Sequence, residues 1–231
     1  DSTNAERPGF PLSERQIGRT LEELIREAPG RVIVAVFASH IQRLQQIVRL
    51  AAKFGRRVLF NGKSMVINTH IAKELGYLTV EPDLEITVGD LERLPPQKTI
   101  IVTTGSQGEP LSALARIALE SHKHIHIQKC DLVILSSKFI PGNERAITTV
   151  INNLCRLGAE VVYEQVADIH VSGHACQEEL KLLLNLTRPR YFIPIHGEMR
   201  HLIGHAKLAR ALGLPETQVL LATDADQVRF D

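Results

Sequence analysis

The run Arg31-Val32-Ile33-Val34-Ala35-Val36-Phe37-Ala38-Ser39-His40 decides how the rest of the chain is read. Val32 to Phe37 is unbroken apolar sequence rich in β-branched side chains, so both faces of the strand it makes must be covered, as in a parallel sheet. The run breaks at Ala38-Ser39-His40 and passes into Ile41, Leu44, Ile47, Val48 and Ala51, an apolar stripe at helical spacing that Gly55 closes.

The same strand, turn and helix recur along the chain. Val58-Leu59-Phe60 leads through Asn61-Gly62 into a helix from Met65 to Leu75. Thr99-Ile100-Ile101-Val102-Thr103 leads through Thr104-Gly105-Ser106-Gln107-Gly108-Glu109-Pro110 into a helix from Leu111 onward. Leu132-Val133-Ile134-Leu135 leads through Ser136-Ser137 and Pro141-Gly142-Asn143-Glu144 into a helix carrying Ile147, Val150, Ile151 and Leu154. Val161-Val162-Tyr163 makes a fifth strand. Ahead of them all, Ser13 opens a helix with Ile17, Leu21, Leu24 and Ile25, which Pro29-Gly30 ends. This alternation predicts an α/β fold with a doubly wound, mainly parallel sheet over residues 11–165. Residues 1–10 form an irregular entry. Residues 166–231 change character. A helix follows His174, a strand-like run Tyr191-Phe192-Ile193-Pro194-Ile195 leads to His196, and a helix passes through Leu202 and Leu212. Gln218 to Leu221 and Gln227 to Phe230 then read as a small strand pair.

Composition narrows the function classes. The 231 residues carry 27 basic and 26 acidic side chains, a net charge of +1, so any nucleic-acid site is a local patch and not a global field. Aromatics make up 4% and tryptophan is absent, which argues against a broad base-stacking platform. Cys130, Cys155 and Cys176 show no CxxC spacing and read as small buried thiols in a reducing compartment, the cytoplasm. No apolar run approaches the roughly 18 residues of a membrane span, so no membrane partner is expected. The chain starts at Asp1 without methionine and is expected to be part of something longer.

Turns at the carboxyl ends of parallel strands are where ligands bind in such sheets. Ser39-His40, Thr104 to Gly108, and Ser136-Ser137 with Gly142-Asn143 each open a helix and so present free N–H groups to an anion. The simpler reading, that their hydroxyls and amides cap helices, carries more weight for any single turn. No turn holds a P-loop lysine. His170, His174 and His196 are a sharper signal, three imidazoles within 27 positions, each beside a turn or glycine. His201 and His205, spaced i, i+4, read as a solvated pair, and His122, His124 and His126 as a solvated strand or loop. No HxHxDH or HExxH spacing occurs.

Six segments resemble the ribonuclease J family, members of the metallo-β-lactamase superfamily with an inserted β-CASP domain: DSTNAERPG (Asp1 to Gly9), FASHIQR (Phe37 to Arg43), TTGSQGEP (Thr103 to Pro110), PGNE (Pro141 to Glu144), HVSGHA (His170 to Ala175) and PIHGE (Pro194 to Glu198). The resemblance implies that residues 1–10 end the first metallo-β-lactamase half. Residues 11–165 would then be the β-CASP domain, and 166–231 the C-terminal part of an αββα metallo-β-lactamase domain. It makes Asp1 the motif A carboxylate that orients His174 and fixes its tautomer. His174, at motif B, would handle protons at the scissile phosphate, and His196, at motif C, would be a zinc ligand. Ser39, His170, Ser172, Gly173 and His174 would bind an RNA phosphate. The implied activity is zinc-dependent hydrolysis of single-stranded RNA, exonucleolytic from a 5′-monophosphate end and also internal, by a homo-oligomer. The family's HxHxDH precedes motif A, so the resemblance implies two Zn2+ ions in the whole protein. A fragment of this extent would retain no stable ion pair, would be inactive, and would expose an apolar face that promotes self-association. The alternatives are a non-catalytic RNA- or phosphate-binding α/β module, and another β-CASP nuclease acting on DNA.

Overall fold

Successive residues of each central strand feed two different cores. In the computed structural model, which describes residues 1–140 and 142–229, five strands pair in parallel: β1 (Val32–Ala35), β2 (Arg57–Asn61), β3 (Thr99–Thr103), β4 (Leu132–Leu135) and β5 (Glu160–Val162), in the order β2-β3-β1-β4-β5. Val32, Val34, Ile100, Val102 and Ile134 pack against α1 (Glu14–Glu27), α2 (Ile41–Lys53) and α3 (Lys63–Glu74). Ile33, Ala35, Ile101, Val133 and Leu135 pack against α4 (Ala113–Ala118) and α5 (Glu144–Arg156). The mainly parallel α/β sheet expected from the strand runs is therefore present, with all its pairs parallel and helices on both faces.

A strand that is apolar on both faces does not penalise a one-residue slip in the usual way, because either set of side chains would still be buried. Register is pinned instead by a buried ion pair just before the strands. Arg31 donates to Asp131 through Nε at 3.0 Å and Nη2 at 2.5 Å, immediately ahead of the Val32–Leu132 pairing. At the outer edge of β2, Val58 donates to Leu84 O and Ile86 donates to Val58 O, at 2.8 and 2.9 Å. Leu84 joins the first core while Ile86, Val88 and Leu91 pack on the second, so the chain wraps round the edge strand and covers its free backbone. These elements, Glu14–Val171, make one compact unit.

The second unit combines residues 1–13 with those from Ser172 onward. Its helices are α6 (Gln177–Thr187) and α7 (Met199–Ala211), around a small core of Leu184, Ala206, Ala209 and Val219. The N-terminal segment is tied to the start of α6: Gln177 N–H donates to Arg7 O at 3.0 Å, and its side-chain amide to Ala5 O at 3.0 Å. Leu182, Leu183 and Leu186 of α6 are more than half exposed.

Three local expectations are corrected. The Tyr191 to Ile195 run reduces to a single parallel bridge, Phe192 with Val219, because Pro194 has no N–H to extend a ladder. Gln218 belongs to a 3-10 turn, and residues 220–221 and 227–229 form no strand, so the pair is absent among the described residues; Phe230 lies outside them. Only Cys176 is buried; Cys130 and Cys155 are exposed.

Candidate metal centre

Asp1, His174 and His196 meet in the smaller unit. The Asp1 Oδ2 atom is 2.5 Å from His174 Nδ1 and 4.0 Å from His196 Nε2. The two imidazoles stack with centroids 5.5 Å apart and planes 25° from parallel. The side chains are 39%, 37% and 64% exposed respectively. Among the described residues this is the one group of three or more such side chains with donor atoms mutually within 4.8 Å.

The two distances assign unequal jobs. Two donors each about 2.1 Å from one zinc ion stand no more than about 4.2 Å apart. The Asp1–His196 separation lies inside that limit but beyond the about 3.4 Å of a tetrahedral pair, so the two donors would have to close by about half an ångström on a shared ion; carboxylate plus imidazole is a donor set suited to zinc. The Asp1–His174 contact is too short to hold a metal between its atoms. It is a charge-assisted hydrogen bond, in which the carboxylate accepts and so places a proton on His174 Nδ1. Asp1 Oδ2 thus stands within reach of both imidazoles, where the resemblance gives Asp1 an orienting role alone.

The backbone around these side chains is held by residues to which sequence reading assigned no role. The Asn4 carboxamide, 1% exposed, donates to Ser172 Oγ at 2.8 Å and to His174 O at 2.7 Å. Ser2 N–H donates to His196 O at 3.0 Å, and Ser2 Oγ to Ile195 O at 2.9 Å. His205, read as solvated, is 5% exposed on the inner face of α7, with Nδ1 2.9 Å from Ser2 Oγ. Burial holds its pKa down to about 4. Both Ser2 and Asn4 lie inside DSTNAERPG, and that string was the available signal. His201 accepts from Glu198 N at 3.1 Å and does not pair with His205 around a common point.

The remaining phosphate-binding candidates divide between the units. Ser172 accepts from Asn4 and from His174 N–H, and beside it Gly173 leaves open space where a Cβ would stand. Ser39 and His170 belong to the larger unit. Ser39 lines an open pocket of about 400 Å³ with Phe37, His40, Ile41 and Gln42. His40 caps α2 by accepting from Arg43 N at 3.2 Å. The other turns are committed to structure. Ser106, Gln107, Ser136 and Ser137 are buried, and Gln107 spends its amide on Ser137 Oγ, Lys138 O and Ile140 N. Gly108, at φ 70°, lets this loop press on α5, where a Cβ would lie 2.7 Å from the backbone of Ala146. His122 is likewise buried, accepting from His124 and Ile125 N–H groups, and is not solvated.

His170 Nδ1 is buried with no partner among the described residues. Burial, then the charges of Arg43 and His40, push its pKa down to about 4. The unfolded imidazole takes its proton near pH 6.5, so this group favours the folded state above that value and loses its advantage as pH falls from about 6.5 towards 4. After discounting for partial exposure, the loss is about 2 kcal/mol. Urea unfolding at pH 7.5 and pH 4.5 is expected to show a His170→Asn variant losing about 2 kcal/mol less than the parent protein. Equal losses in both would refute the assignment.

No helix among the described residues is long and apolar enough to cross a membrane. Residues 29–154 match the family described as ribonuclease J, beta-CASP domain, and residues 158–220 match the Zn-dependent metallo-hydrolase RNA specificity domain. Ribonuclease J of Thermus thermophilus is 49% identical over 230 residues, covering 100% of this chain and 40% of that protein. Ribonuclease J of Mycolicibacterium smegmatis is 48% identical over 228 residues, covering 99% and 41%. Ribonuclease J2 of Bacillus subtilis is 41% identical over 230 residues, covering 100% and 41%. The chain spans about two-fifths of the length of these relatives. One unit carries a parallel α/β sheet with the family's β-CASP pattern, the other a carboxylate–imidazole cluster built from its flanking motifs, and with these relatives they lead to one conclusion: the chain belongs to the ribonuclease J family.

Proposed function

We propose that the protein carrying this chain hydrolyses RNA phosphodiester bonds in the cytoplasm as a zinc-dependent nuclease, and that Asp1, His174 and His196 are its contribution to the reacting centre. The observation that carries this reading is the Asp1 carboxylate shared between an imidazole at hydrogen-bond distance and another at metal-sharing distance. Asp1 and His196 would hold zinc. Zinc, when bound, supplies a Lewis acid for the phosphoryl oxygen and an acidified water. With Nδ1 committed to Asp1, His174 has only Nε2 left to exchange a proton with a phosphate oxygen or a leaving hydroxyl. Two ions would need donors beyond these three side chains.

Ser39 and His170 in the larger unit, and Ser172, Gly173 and His174 in the smaller, are the residues we assign to RNA phosphate. The ribonuclease names of the relatives and the RNA-specificity description of residues 158–220 support an RNA substrate. We assign the protein 5′-monophosphate ends as its exonucleolytic entry point, internal cleavage as its second mode, and a homo-oligomeric state.

The test uses the full-length protein stripped of metal by a chelator, with single-stranded RNA bearing a 5′-monophosphate or a 5′-hydroxyl. Cleavage is expected to vanish on stripping and to return with zinc. It is expected to favour the monophosphate end, and His196→Ala is expected to weaken zinc binding at least tenfold, as loss of one ligand should. Full activity in the stripped protein would sink the proposal.

A further inference from the structure

His196 is the conformational weak point of the centre. Its φ of 61° lies in the left-handed region, which costs a residue with a Cβ about 1–2 kcal/mol. The backbone must therefore be held there, and the direction of the imidazole depends on its being held. Three donors from the adjoining N-terminal segment do so: Ser2 N–H and Thr3 Oγ1 on His196 O, at 3.0 and 3.3 Å, and Ser2 Oγ on Ile195 O at 2.9 Å. At about 1 kcal/mol each these outweigh the strain.

The Ser2 hydroxyl has one proton, and Ile195 O takes it. In its 2.9 Å contact with His205, Ser2 Oγ must then accept, so His205 carries its proton on Nδ1. The result is a directed chain from His205 Nδ1–H to Ser2 Oγ–H to Ile195 O. His205 is itself locked by an edge-on contact with Phe192, centroids 4.7 Å apart, so the chain starts from a fixed ring on α7.

We propose that Ser2 and His205 are positioning residues for the metal centre: the His205–Ser2–Ile195 hydrogen-bond chain holds His196 in its left-handed conformation and aims its imidazole at the position it shares with Asp1. This rests on the reading of His196 as a zinc ligand. Neither side chain touches the reacting atoms. They act through the peptide that carries His196, as outer partners of a metal ligand do.

The experiment compares full-length variants by zinc affinity in chelator competition, by the visible spectrum of the Co2+-substituted protein, and by metal-free thermal unfolding. Ser2→Ala and His205→Leu are expected to weaken zinc about 10- to 100-fold and to alter the cobalt bands. Because Asn offers an N–H where the imidazole has Nδ1–H, His205→Asn is expected to recover most of the affinity that His205→Leu loses. Ser2→Ala removes one oxygen and about 1 kcal/mol or a little more of hydrogen bonding, so it should fold even if His205→Leu does not, with its metal-free unfolding temperature lowered by only a few degrees. Zinc affinity and cobalt bands unchanged in Ser2→Ala, while His196→Ala weakens binding at least tenfold, would overturn this inference alone. Unchanged binding in His196→Ala would overturn the ligand reading and the inference with it.

Discussion

Replacing His174 with alanine is expected to slow RNA cleavage by the full-length protein about 10²- to 10⁴-fold, the usual contribution of a positioned proton donor or acceptor. The fall should appear in the single-turnover rate with zinc affinity retained. The reason is geometric: a donor–acceptor distance of 2.5 Å between His174 Nδ1 and Asp1 Oδ2 leaves no room for an ion between those two atoms, so Nδ1 is committed to the carboxylate and Nε2 is the nitrogen left for proton exchange. Asp1→Asn should behave differently. It removes the charge that the 4.0 Å gap to His196 requires, and a carboxamide can turn its NH₂ towards Nδ1 and reverse the tautomer. Both the rate and the zinc affinity should therefore fall. If His174→Ala lost zinc in step with activity, His174 would be a ligand and the division of labour argued here would be wrong.

The largest effect on stability is expected at Arg31. Its side chain is 8% exposed, and that of its partner Asp131 1%. Beyond the two bonds to Asp131, Arg31 Nη2 donates to His126 O at 2.6 Å, and Gln128 N–H donates to Asp131 Oδ2 at 2.8 Å. Arg31→Leu would strand a buried carboxylate with one backbone donor, a loss of about 3–5 kcal/mol. Chemical denaturation of the variant gives the number directly. The double change Arg31→Leu with Asp131→Leu should recover part of it, because no unpaired charge remains. Arg43 offers a useful contrast. It is fully buried, with bonds to Ser136 Oγ, Ile169 O and Glu14, but the Glu14 side chain is 33% exposed and can be hydrated when Arg43 is lost. Its removal should cost less than that of Arg31.

The two assignments depend on different kinds of information. Strand runs such as Val32–Ala35 and Thr99–Thr103, and stripes such as Ile41 to Ala51, are local: propensity, period and capping act within a few residues, and those elements are found where their side chains put them. The same locality misled at Tyr191 to Ile195, where β-branched and aromatic residues suggest a strand but pairing stops at the single Phe192–Val219 bridge ahead of Pro194. The DSTNAERPG, HVSGHA and PIHGE strings mark Asp1, His174 and His196 as a set, although Asp1 and His174 stand 173 positions apart.

What one dimension could not hold is how buried each polar group is and what it faces. His205 and His201 share a helix and a spacing, yet one is 5% exposed and bound to Ser2 while the other accepts from a neighbouring backbone amide. The hydroxyls of Ser136 and Ser137 look like anion ligands in a list of turn residues. In the fold they are consumed by Arg43, Ile169 and Gln107. Composition and period were therefore enough for the α/β class and a mainly parallel sheet, because each is encoded by short-range chain chemistry, and the motif strings were enough to pick out three side chains that cluster in the fold. The Arg31–Asp131 pair ahead of the strands, the unequal distances from Asp1 to His174 and His196, and the Ser2–His205 contact were decided only by tertiary structure, because each joins groups about a hundred or more residues apart.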